Sequence, residues 1–417
     1  MALADLLESL LGTDLPVAFS LYDGSRLGPD PAPATIVVRS PDALRRIVTA
    51  PGELGFGRAY VAGDLDVEGD IYAALALRDV MPELRLRPKQ YVAALRLAGV
   101  GGVKRLAPPA EEARLRGKRH SKARDAAAVS HHYDVSNDFY RMVLGPSMTY
   151  SCAVWTDPAH SLEDAQANKH ELICRKLGLE PGMRLLDIGC GWGGMLLHAA
   201  RHHGVHAVGV TLSRRQAELA EKRAAEAGIG DRIEVRYQDY RDVDDGPYDA
   251  ISSIGMFEHV GLSQLQVYFE RCHALLRPGG RLLNHAISRP AGVAGSTADR
   301  RSRFARRSFI NRYVFPDGEL HEVGAVVSAI QKEAFEARHM ESLREHYALT
   351  LRRWVANLEE NWDACVAEAG AARARIWRLY MAASAVNFER NGTQVHQILA
   401  VKPDGGASGL PLRPRFE

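Results

Sequence analysis

A glycine-rich loop is the segment of this chain whose residue types and spacing point most directly to chemistry. Residues 185–194 read LLDIGCGWGG, with Gly189, Gly191 and Gly193 directly after a short apolar run. Glycine lets the backbone turn sharply at the end of a strand and approach a ligand closely. The bare glycine pattern would suit NAD or FAD equally well. The GxGxG spacing and the preceding acid, Asp187, favour S-adenosylmethionine instead.

The loop after the next apolar run supports the same cofactor. Residues 211–216 read TLSRRQ, so no acid of the kind that binds a nicotinamide ribose stands at the strand tip. Thr211 and Gln216 can still hydrogen-bond an amino acid or a sugar. The two loops together predict one binding site for S-adenosylmethionine.

Two ionisable side chains stand at the ends of later apolar runs. Glu258 follows the run at 248–252, and His285 lies in the run at 280–286. Because open α/β sheets bind ligands at the carboxyl ends of their strands, both residues stand where such a fold places a ligand. Taken singly, each has a plain structural explanation, since a Glu-His pair also occurs at helix starts. Cys152 and Tyr347, taken singly, are equally consistent with an ordinary core.

Alternating strands and helices must position these residues. Apolar runs of strand length alternate with helix-length segments from about residue 165 onward, which predicts a mostly parallel, Rossmann-like sheet covered on both faces. The predicted strands are 184–188, 205–210, 232–237, 248–252, 280–286 and 395–401. The predicted helices are 195–203, 213–227 and 349–388.

The sequence also indicates how the chain divides into domains. Residues 1–105 predict a small α/β domain for packing, lipid binding or interaction, and 106–126 a linker. The catalytic domain is predicted over 127–405, with an insertion at about 289–345, and residues 406–417 form a tail. Residues 114–124 in the linker hold six Lys or Arg residues. That run is consistent with a solvated face and with a contact to anionic phospholipid headgroups.

Composition excludes several classes of protein. The 417 residues are 46% hydrophobic and 25% charged, as in globular proteins, and the formal net charge of +2 does not favour nucleic acid. No apolar run is long enough to span a bilayer. The five cysteines contain no CxxC pair and fit no zinc spacing, so we predict no metal and a reduced intracellular compartment. The acidic N-terminus favours a short amphipathic helix over a signal peptide.

Six segments follow one another along the chain: residues 130–140 (SHHYDVSNDFY), 148–152 (MTYSC), 186–193 (LDIGCGWG), 209–213 (GVTLS), 253–260 (SIGMFEHV) and 278–281 (PGGR). Taken in this order, they resemble the cyclopropane fatty acid synthase family. The resemblance covers about residues 128 to 400, and the N-terminal domain is similar to that of the members that act on phospholipids.

The resemblance implies an enzyme, its cofactor and its setting. The family has the class I methyltransferase fold with a seven-stranded sheet, and it transfers a carbon from S-adenosylmethionine to the double bond of an unsaturated acyl chain. The implied partners are unsaturated phospholipid and an anionic membrane surface, not nucleic acid. The implied location is the cytoplasm, peripherally on the inner face of the membrane, and we expect a homo-oligomer in the form of a dimer.

The resemblance also implies a set of site residues. A bicarbonate ion would act as the base, held by the backbone of Cys152 and Ile287, the side chains of Glu258 and His285, and the hydroxyl of Tyr347. Tyr150 and Ser151 would contact the methionine part of the cofactor and the three glycines would line it. The ribose and adenine sides would fall to Thr211, Leu212, Gln216, Gln238 and Asp239.

Two further expectations concern the binding of the acyl chain and the alternative functions. Residues 309–315 with Trp377, Tyr380 and Phe388 are candidates for an acyl tunnel, although ordinary core is equally consistent. Residues 381–387 contain no cysteine, which argues against a covalent cysteine mechanism. The same motifs suit an enzyme that leaves a methylene branch instead of a ring. More distant alternatives are a catalytically inactive lipid-binding protein and a methyltransferase acting on small molecules or nucleic acid.

Overall fold

The computed structural model of the protein divides into two compact units, each assembled from distant parts of the chain. The first unit comprises Met1–Arg114, Ser296–Pro316 and Trp362–Val386. The second comprises Leu115–Gly295, Asp317–Asn361 and Asn387–Glu417. The residues that the structure describes are 2–80, 90, 92, 97, 105–113, 117, 120–122, 124–125, 136–292 and 308–416.

Helices and strands are numbered here in chain order over the described residues. The helices are α1 (Leu3–Leu11), α2 (Pro41–Thr49), α3 (Glu53–Ala62), α4 (Ile71–Val80), α5 (Asn137–Leu144), α6 (Leu162–Leu177), α7 (Gly194–His203), α8 (Arg214–Glu226), α9 (Leu265–Leu275), α10 (Phe309–Tyr313), α11 (Val323–Lys332), α12 (Arg344–Glu360), α13 (Trp362–Ala369) and α14 (Ala371–Glu389). The strands are β1 (Ala18–Leu21), β2 (Arg26–Leu27), β3 (Ala34–Val38), β4 (Leu65–Gly69), β5 (Arg184–Ile188), β6 (His206–Thr211), β7 (Ile233–Tyr237), β8 (Tyr248–Ile254), β9 (Leu276–Arg289), β10 (His321–Glu322), β11 (Glu336–Ser342) and β12 (Gln394–Val401).

The first unit is built on a small four-stranded sheet in the order β2-β1-β3-β4. Strand β3 alternates buried and partly exposed residues, which places Ile36 in the core. Helix α2 begins at Ser40, whose hydroxyl accepts a hydrogen bond from the backbone N–H of Asp42 at 3.2 Å. Arg58 and Glu112 form a bidentate pair in the interior, with both N···O distances at 2.8 Å.

The second unit is built on a large sheet in the order β11-β12-β9-β8-β5-β6-β7, with β10 added beside β9. Strands β7, β6, β5, β8 and β9 pair in parallel, whereas β12 runs antiparallel to both of its neighbours. Apolar residues of the central strands are fully buried, as a sheet covered by helices on both faces requires. The predicted α/β class with a mostly parallel seven-stranded sheet is therefore confirmed.

Two segments of the predicted catalytic domain differ from the sequence prediction. The segment 336–342, inside the predicted insertion at 289–345, forms the edge strand β11 and pairs antiparallel with β12. Its sequence, EARHMES, lacks apolar alternation because an edge strand has a neighbour on one side only and stays partly exposed. Residues 362–386, predicted to belong to a continuous catalytic domain, group with the first unit.

The predicted basic stretch is described only in part. Arg114, Arg116, Lys118 and Arg119 lie outside the described residues, as do residues 126–135 of the motif region. Within the described part, Nζ of Lys122 lies 2.5 Å from Asp242, and the guanidinium of Arg124 lies 2.5 Å from Asp317. These two basic residues pair with acids of their own unit.

None of the helices in the described parts of the chain combines the length and the apolar character needed to cross a lipid bilayer.

Candidate active site

A pocket opens at the carboxyl ends of β5, β6 and β8 in the second unit. Its wall includes Ile188 at the end of β5, Thr211 at the end of β6 and Ile254 at the end of β8. The parallel direction of these strands brings their ends to one edge of the sheet, where loops can converge on a ligand. This is the position that the glycine loop was predicted to occupy.

The glycine loop has a shape that side chains would prevent. Gly189 has φ +80°, and a Cβ atom placed on it would lie 2.7 Å from Cβ of Met256. Its backbone N–H donates to the carbonyl oxygen of Val210 at 2.9 Å, which ties β5 to β6 at the turn. Gly193, also at positive φ, begins α7, and a Cβ there would lie 3.1 Å from Ala220. Gly189 therefore leaves the pocket open, while Gly193 allows α7 to pack.

Asp187 lies in the floor of the pocket and is fully buried. Its Oδ1 accepts a hydrogen bond of 2.6 Å from the hydroxyl of Ser252 on the neighbouring strand β8. Burial raises the pKa of Asp187 to about 6, although the Ser252 hydrogen bond and the charge of Lys169 oppose the rise. The carboxyl group thus fixes two strands at the pocket and remains available to a polar ligand.

Helix α6 holds the segment that precedes Cys152. The amide nitrogen of Gln166 donates to the carbonyl oxygens of Thr149 and Ser151, at 3.3 and 3.0 Å. The ammonium of Lys169 donates to the hydroxyl of Ser151 at 3.0 Å. Because Gln166 and Lys169 are buried, these bonds are shielded from water and fix the segment firmly.

Lys169 is the main electrostatic feature of the pocket wall. Its Nζ lies 3.0 Å from Nε2 of His170 and 3.0 Å from the hydroxyl of Ser151, and among the described residues no ion pair joins it to a carboxylate. Burial lowers the pKa of Lys169 to about 7, although the nearby Asp187 and Cys152 favour its charged form. A buried ammonium without an anionic partner makes this wall receptive to the carboxylate of an amino acid ligand.

Polar side chains form the opposite rim. The hydroxyl of Thr211 donates to Oε1 of Gln216 at 2.8 Å, so the loop after β6 is held by its own residues. Asp239 accepts from the guanidinium of Arg241 at 2.6 and 2.8 Å. Although burial acts in the opposite direction, this pairing keeps the pKa of Asp239 below its ordinary value. Gln238 donates to the carbonyl oxygen of Asp242 at 3.0 Å.

Glu258 and Ile287 are hydrogen-bonded to each other. Oε1 of Glu258 accepts from the backbone N–H of Ile287 at 2.7 Å, and Oε2 is buried with no partner among the described residues. Burial raises the pKa of Glu258 to about 7, although the Ile287 bond opposes the rise. This pairing differs from the expectation that the Ile287 N–H is free for an anion, because Glu258 already uses it.

His285 lies two residues before Ile287 on β9, on the same face of the strand. The amide of Gln397 on β12 faces it, with Nε2 of Gln397 at 3.1 Å from Nδ1 of His285. Oε1 of Gln397 accepts from Lys176 at 2.7 Å, so the NH₂ end of the amide must point to the imidazole. Nδ1 is therefore the acceptor, and the ring proton resides on Nε2.

The Nε2 atom of His285 is buried and has no partner among the described residues. Burial, followed by the charge of Lys169, holds the pKa of His285 well below its ordinary value, so the ring is neutral. A neutral imidazole with its proton on Nε2 presents one N–H donor. Oε2 of Glu258, which also lacks a partner among the described residues, is an acceptor, so the two side chains carry one donor and one acceptor.

Cys152 and Tyr347 lie in the interior of the second unit. The Cys152 thiol approaches the carbonyl oxygen of Leu343 at 3.6 Å, and the backbone N–H of Tyr347 donates to that same oxygen at 3.1 Å. Burial raises the pKa of Cys152 well above its ordinary value, so its sulfur is a thiol and not a nucleophilic thiolate. The ring of Tyr347 packs 4.7 Å from that of Phe388.

Most residues predicted to bind the cofactor line the pocket, whereas the residues predicted as catalytic do not. Gly193 and the five residues predicted as catalytic are outside the pocket lining. Among those five, Glu258 and Ile287 share a hydrogen bond, and Cys152 and Tyr347 contact the same carbonyl oxygen of Leu343. Ten predicted cofactor residues line the one pocket: Tyr150, Ser151, Asp187, Gly189, Gly191, Thr211, Leu212, Gln216, Gln238 and Asp239.

Lys169, Gln166 and Gln397 were missed by sequence reasoning. Helix α6 is rich in charged residues, which is typical of a solvent-exposed helix. A signal was nevertheless present, because Lys169 stands four residues from Ala165 and four from Ile173, both of which are fully buried. Gln397 gives no such signal, since its partner His285 is distant in sequence.

The candidates for the acyl tunnel are packed aromatic residues. In the first unit, the ring of Phe309 stacks on Tyr313 at 4.9 Å, and Tyr380 contacts the rings of Phe315 and Trp377 at 5.8 and 5.9 Å. These contacts are those of an apolar interior. The tunnel itself stays a prediction.

Comparison with known proteins identifies the family. The family model described as mycolic acid cyclopropane synthetase matches residues 120–398. A probable fatty acid methyltransferase of Mycobacterium tuberculosis is 48% identical, covering 100% of this chain and 99% of that protein. The cyclopropane-fatty-acyl-phospholipid synthase of Escherichia coli strain K12 is 34% identical, covering 88% of each chain.

A solved structure agrees with these relatives. The crystal structure of a mycolic acid cyclopropane synthase in complex with SAH and CTAB superposes with a TM-score of 0.62 at 33% identity. It covers 66% of this chain and 98% of that one. The pocket at the strand ends, the glycine loop and these relatives lead to one conclusion. The chain belongs to the mycolic acid cyclopropane synthetase family and is an S-adenosylmethionine-dependent methyltransferase.

Proposed function

We propose that this enzyme transfers the methyl carbon of S-adenosylmethionine to the double bond of an unsaturated phospholipid acyl chain and closes a cyclopropane ring. The proposal is carried by two buried polar atoms that lack a partner in the part of the chain that the structure describes, Oε2 of Glu258 and Nε2 of His285. The name of the Escherichia coli relative supports phospholipid as the substrate class.

The first step needs placement and no base. An isolated alkene has no acidic proton and is a weak nucleophile, so the reacting carbon must be held in line at near-contact distance. S-adenosylmethionine, when bound, supplies an electrophilic sulfonium methyl group. Tyr150 and Ser151, fixed by Lys169 and Gln166, position the methionine end, and the glycine loop admits the rest of the cofactor.

Transfer of the methyl group leaves a carbocation in the acyl chain. A row of aromatic rings extends from Tyr150 in the pocket wall through Trp354 and Tyr347 to Phe388. Successive ring centroids are 5.3, 6.1 and 4.7 Å apart. Aromatic faces stabilise a nearby cation, and an apolar lining excludes the water that would trap it.

Ring closure then requires the loss of one proton from the transferred methyl group. The electron pair of that C–H bond forms the third bond of the ring, and the proton leaves to a base. Bicarbonate, when bound, supplies this base. Oε2 of Glu258 would accept from its O–H and Nε2–H of His285 would donate to one of its oxygens, which matches the donor and acceptor set of the ion.

The other residues of the proposed base site have separate roles. The backbone N–H of Cys152 and the hydroxyl of Tyr347 are further donors for an oxyanion in the proposal. The N–H of Ile287 donates to Glu258, so it acts by orienting that carboxylate. The thiol of Cys152, with its raised pKa, takes no part in proton removal.

A methylene-branched acyl chain is the second candidate product. The same cation gives it when a hydride shifts along the chain and a proton then leaves the methyl carbon. The Mycobacterium tuberculosis relative is named for fatty acid methylation, without a ring in its name. Both products add one CH₂, so mass alone does not separate them.

Proton NMR of product lipids tests the proposal. The full chain is expressed in a host that lacks the activity and is supplied with oleoyl phospholipid. Ring protons resonate upfield and vinylidene protons downfield, and we expect the upfield signals. Vinylidene signals without ring signals would show the methylene-branched product instead of the cyclopropane. The absence of both signals, with the protein folded, would overturn both proposed products.

A further inference from the structure

Away from the cofactor pocket, helices α6 and α7 bring together side chains that bind transition metals. One ligand atom each from Cys174, His198 and His203 lie within 4.8 Å of one another. Oε2 of Glu171 lies 3.2 Å from Nε2 of His198 and 3.0 Å from Nε2 of His203. Glu171 thus contacts both histidines of the group that Cys174 completes.

The two helices present these residues by their spacing. Glu171 and Cys174 are three residues apart on α6 and share one face of it. His198 and His203 come from α7, the latter as its last residue. Cys174 is fully buried, whereas the side chains of His203 and Glu171 are 18% and 31% exposed. The cluster is anchored in the core and open to solvent on one side, which gives an ion a path of entry.

The donor set selects a class of metal. One sulfur, two imidazole nitrogens and one carboxylate oxygen form the mixed N/S/O set typical of tetrahedral zinc. Calcium and magnesium prefer oxygen ligands only. A zinc ion with bonds of about 2.0–2.3 Å separates its ligands by roughly 3.3–3.8 Å. The Glu171–histidine distances of 3.2 and 3.0 Å lie just below this range, and the ligand atoms of Cys174, His198 and His203, now within 4.8 Å of one another, would draw together around the ion.

We propose that Glu171, Cys174, His198 and His203 form a binding site for Zn²⁺ that ties α6 to α7. The cysteine spacing alone predicted no zinc site, because the histidines come from another helix. The ion would act on structure, not on the reaction. Helix α6 carries Lys169 in the pocket wall and α7 starts at the glycine loop, so tying them together stabilises both sides of the cofactor pocket.

The test uses the full-length protein after treatment with a chelator. Addition of one equivalent of Zn²⁺ should raise the melting temperature, and competition with a chromophoric chelator should give a stoichiometry of one. Co²⁺ in place of Zn²⁺ should give a thiolate-to-cobalt charge-transfer band in the near ultraviolet. These readouts do not depend on enzyme activity.

Variants locate the ion. Cys174→Ala should abolish the cobalt band. The surface variant His203→Gln, which spares the core, should weaken zinc binding by more than about tenfold. His202→Gln is added to it, because the His202 ring lies 4.6 Å from that of His198 and could replace the missing ligand. His206→Gln, an exposed histidine outside the cluster, is the matched control and should bind zinc as the wild type does.

The proposal fails if the double histidine variant binds Zn²⁺ as tightly as the control. It fails equally if the wild type gains no thermal stability, or if the cobalt spectrum lacks a thiolate band. In those cases Glu171 simply accepts hydrogen bonds from the two imidazoles.

Discussion

At the scale of single residues, the chemistry depends on which protons Glu258 and His285 carry. Glu258 is buried with one free oxygen, and His285 is neutral with its proton on Nε2. Both states follow from burial and from the neighbours that each side chain has. Two other buried groups, Lys169 and Asp187, set the charge of the cofactor pocket in the same way.

The proposed role of Glu258 predicts a rate that rises with pH. The pKa of Glu258 lies at about 7, so the carboxylate that accepts a hydrogen bond becomes populated above that pH. Turnover at saturating S-adenosylmethionine should therefore increase between about pH 6 and 8. Glu258→Gln should lower turnover by about a hundredfold or more and flatten the profile. Calorimetry should find cofactor affinity nearly unchanged, and a loss of affinity as large as the loss of rate would contradict the assignment.

The same substitution has a consequence for stability. The raised pKa means that folding favours the protonated form, so this contribution is full below the unfolded value and is lost as pH rises through about 7. Above that pH the buried carboxylate is a cost to the fold. Urea unfolding at pH 8 should find Glu258→Gln at least as stable as the wild type.

The ammonium of Lys169 is expected to strengthen the binding of S-adenosylmethionine. Replacement by Met removes the ammonium in the pocket wall and its bond to Ser151. Affinity for S-adenosylmethionine should fall by about tenfold or more, as expected for a lost charged hydrogen bond. Because burial lowers the pKa of Lys169 to about 7, wild-type affinity should also weaken above that pH. Lys222→Met, on the exposed face of α8, is the control, and equal effects at both lysines would refute this role.

At the scale of elements, the ladder between β9 and β12 orients the His285 ring. Residues 285 and 397 are direct partners in the antiparallel register, which places the Gln397 amide against the imidazole. Lys176 on α6 fixes the direction of that amide. Gln397 is therefore a positioning residue that acts on the reaction through His285.

Gln397→Leu tests this positioning. Turnover should fall by about tenfold or more while S-adenosylmethionine affinity stays the same, because Gln397 does not line the cofactor pocket. Nitrogen-15 NMR of the histidines should find that His285 no longer holds one tautomer. Gln394→Leu, on the same strand but bonded to Asn391, should leave both readouts unchanged. Normal turnover with an altered tautomer would contradict the role.

The glycine turn between β5 and α7 predicts a difference between two similar substitutions. Gly182 and Gly189 both have φ near +80°, so either alanine variant incurs backbone strain of about 1–2 kcal/mol. A Cβ at Gly182 meets open space, whereas at Gly189 it meets Met256 at 2.7 Å. Gly189→Ala should therefore lose more unfolding free energy and also cofactor affinity. Equal losses in urea unfolding would show that close approach at Gly189 does not matter.

Local signals explain what could be predicted of the fold and the site. The glycine loop, the apolar strands and the polar loop after β6 can each be recognised from about ten consecutive residues. These local patterns were enough to predict the sheet and the cofactor pocket. The bond between Lys176 and Gln397 joins residues 221 positions apart, so no local pattern contains it. Strand β11 was missed because an edge strand with a partly exposed surface does not need apolar alternation.

At the scale of the whole molecule, a phospholipid substrate would bring the enzyme to a lipid surface. The net charge of +2 averages over a basic stretch at 114–124. Its described members Lys122 and Arg124 already pair with Asp242 and Asp317. Attraction to anionic lipid is therefore assigned, in this proposal, to the other four basic residues.

Vesicle sedimentation tests this assignment. Binding to anionic vesicles should weaken with salt and should fall when Arg114, Arg116, Lys118 and Arg119 are replaced by Gln, at about 1 kcal/mol for each residue near the surface. The matched control replaces Lys122 and Arg124 by Gln and should bind nearly as the wild type does. Equal binding to neutral vesicles would contradict the electrostatic contact.

The interleaved order of the two units constrains how the chain is synthesised. The N-terminal segment leaves the ribosome long before two of its partners, Arg378, which donates to the carbonyl oxygens of Val67 and Gly69, and Phe309, which packs on Gly57. The small sheet can complete its packing only after residue 386 has been added. An unfinished unit must therefore wait while the methyltransferase sheet is translated, and this interval is when a chaperone would be most needed.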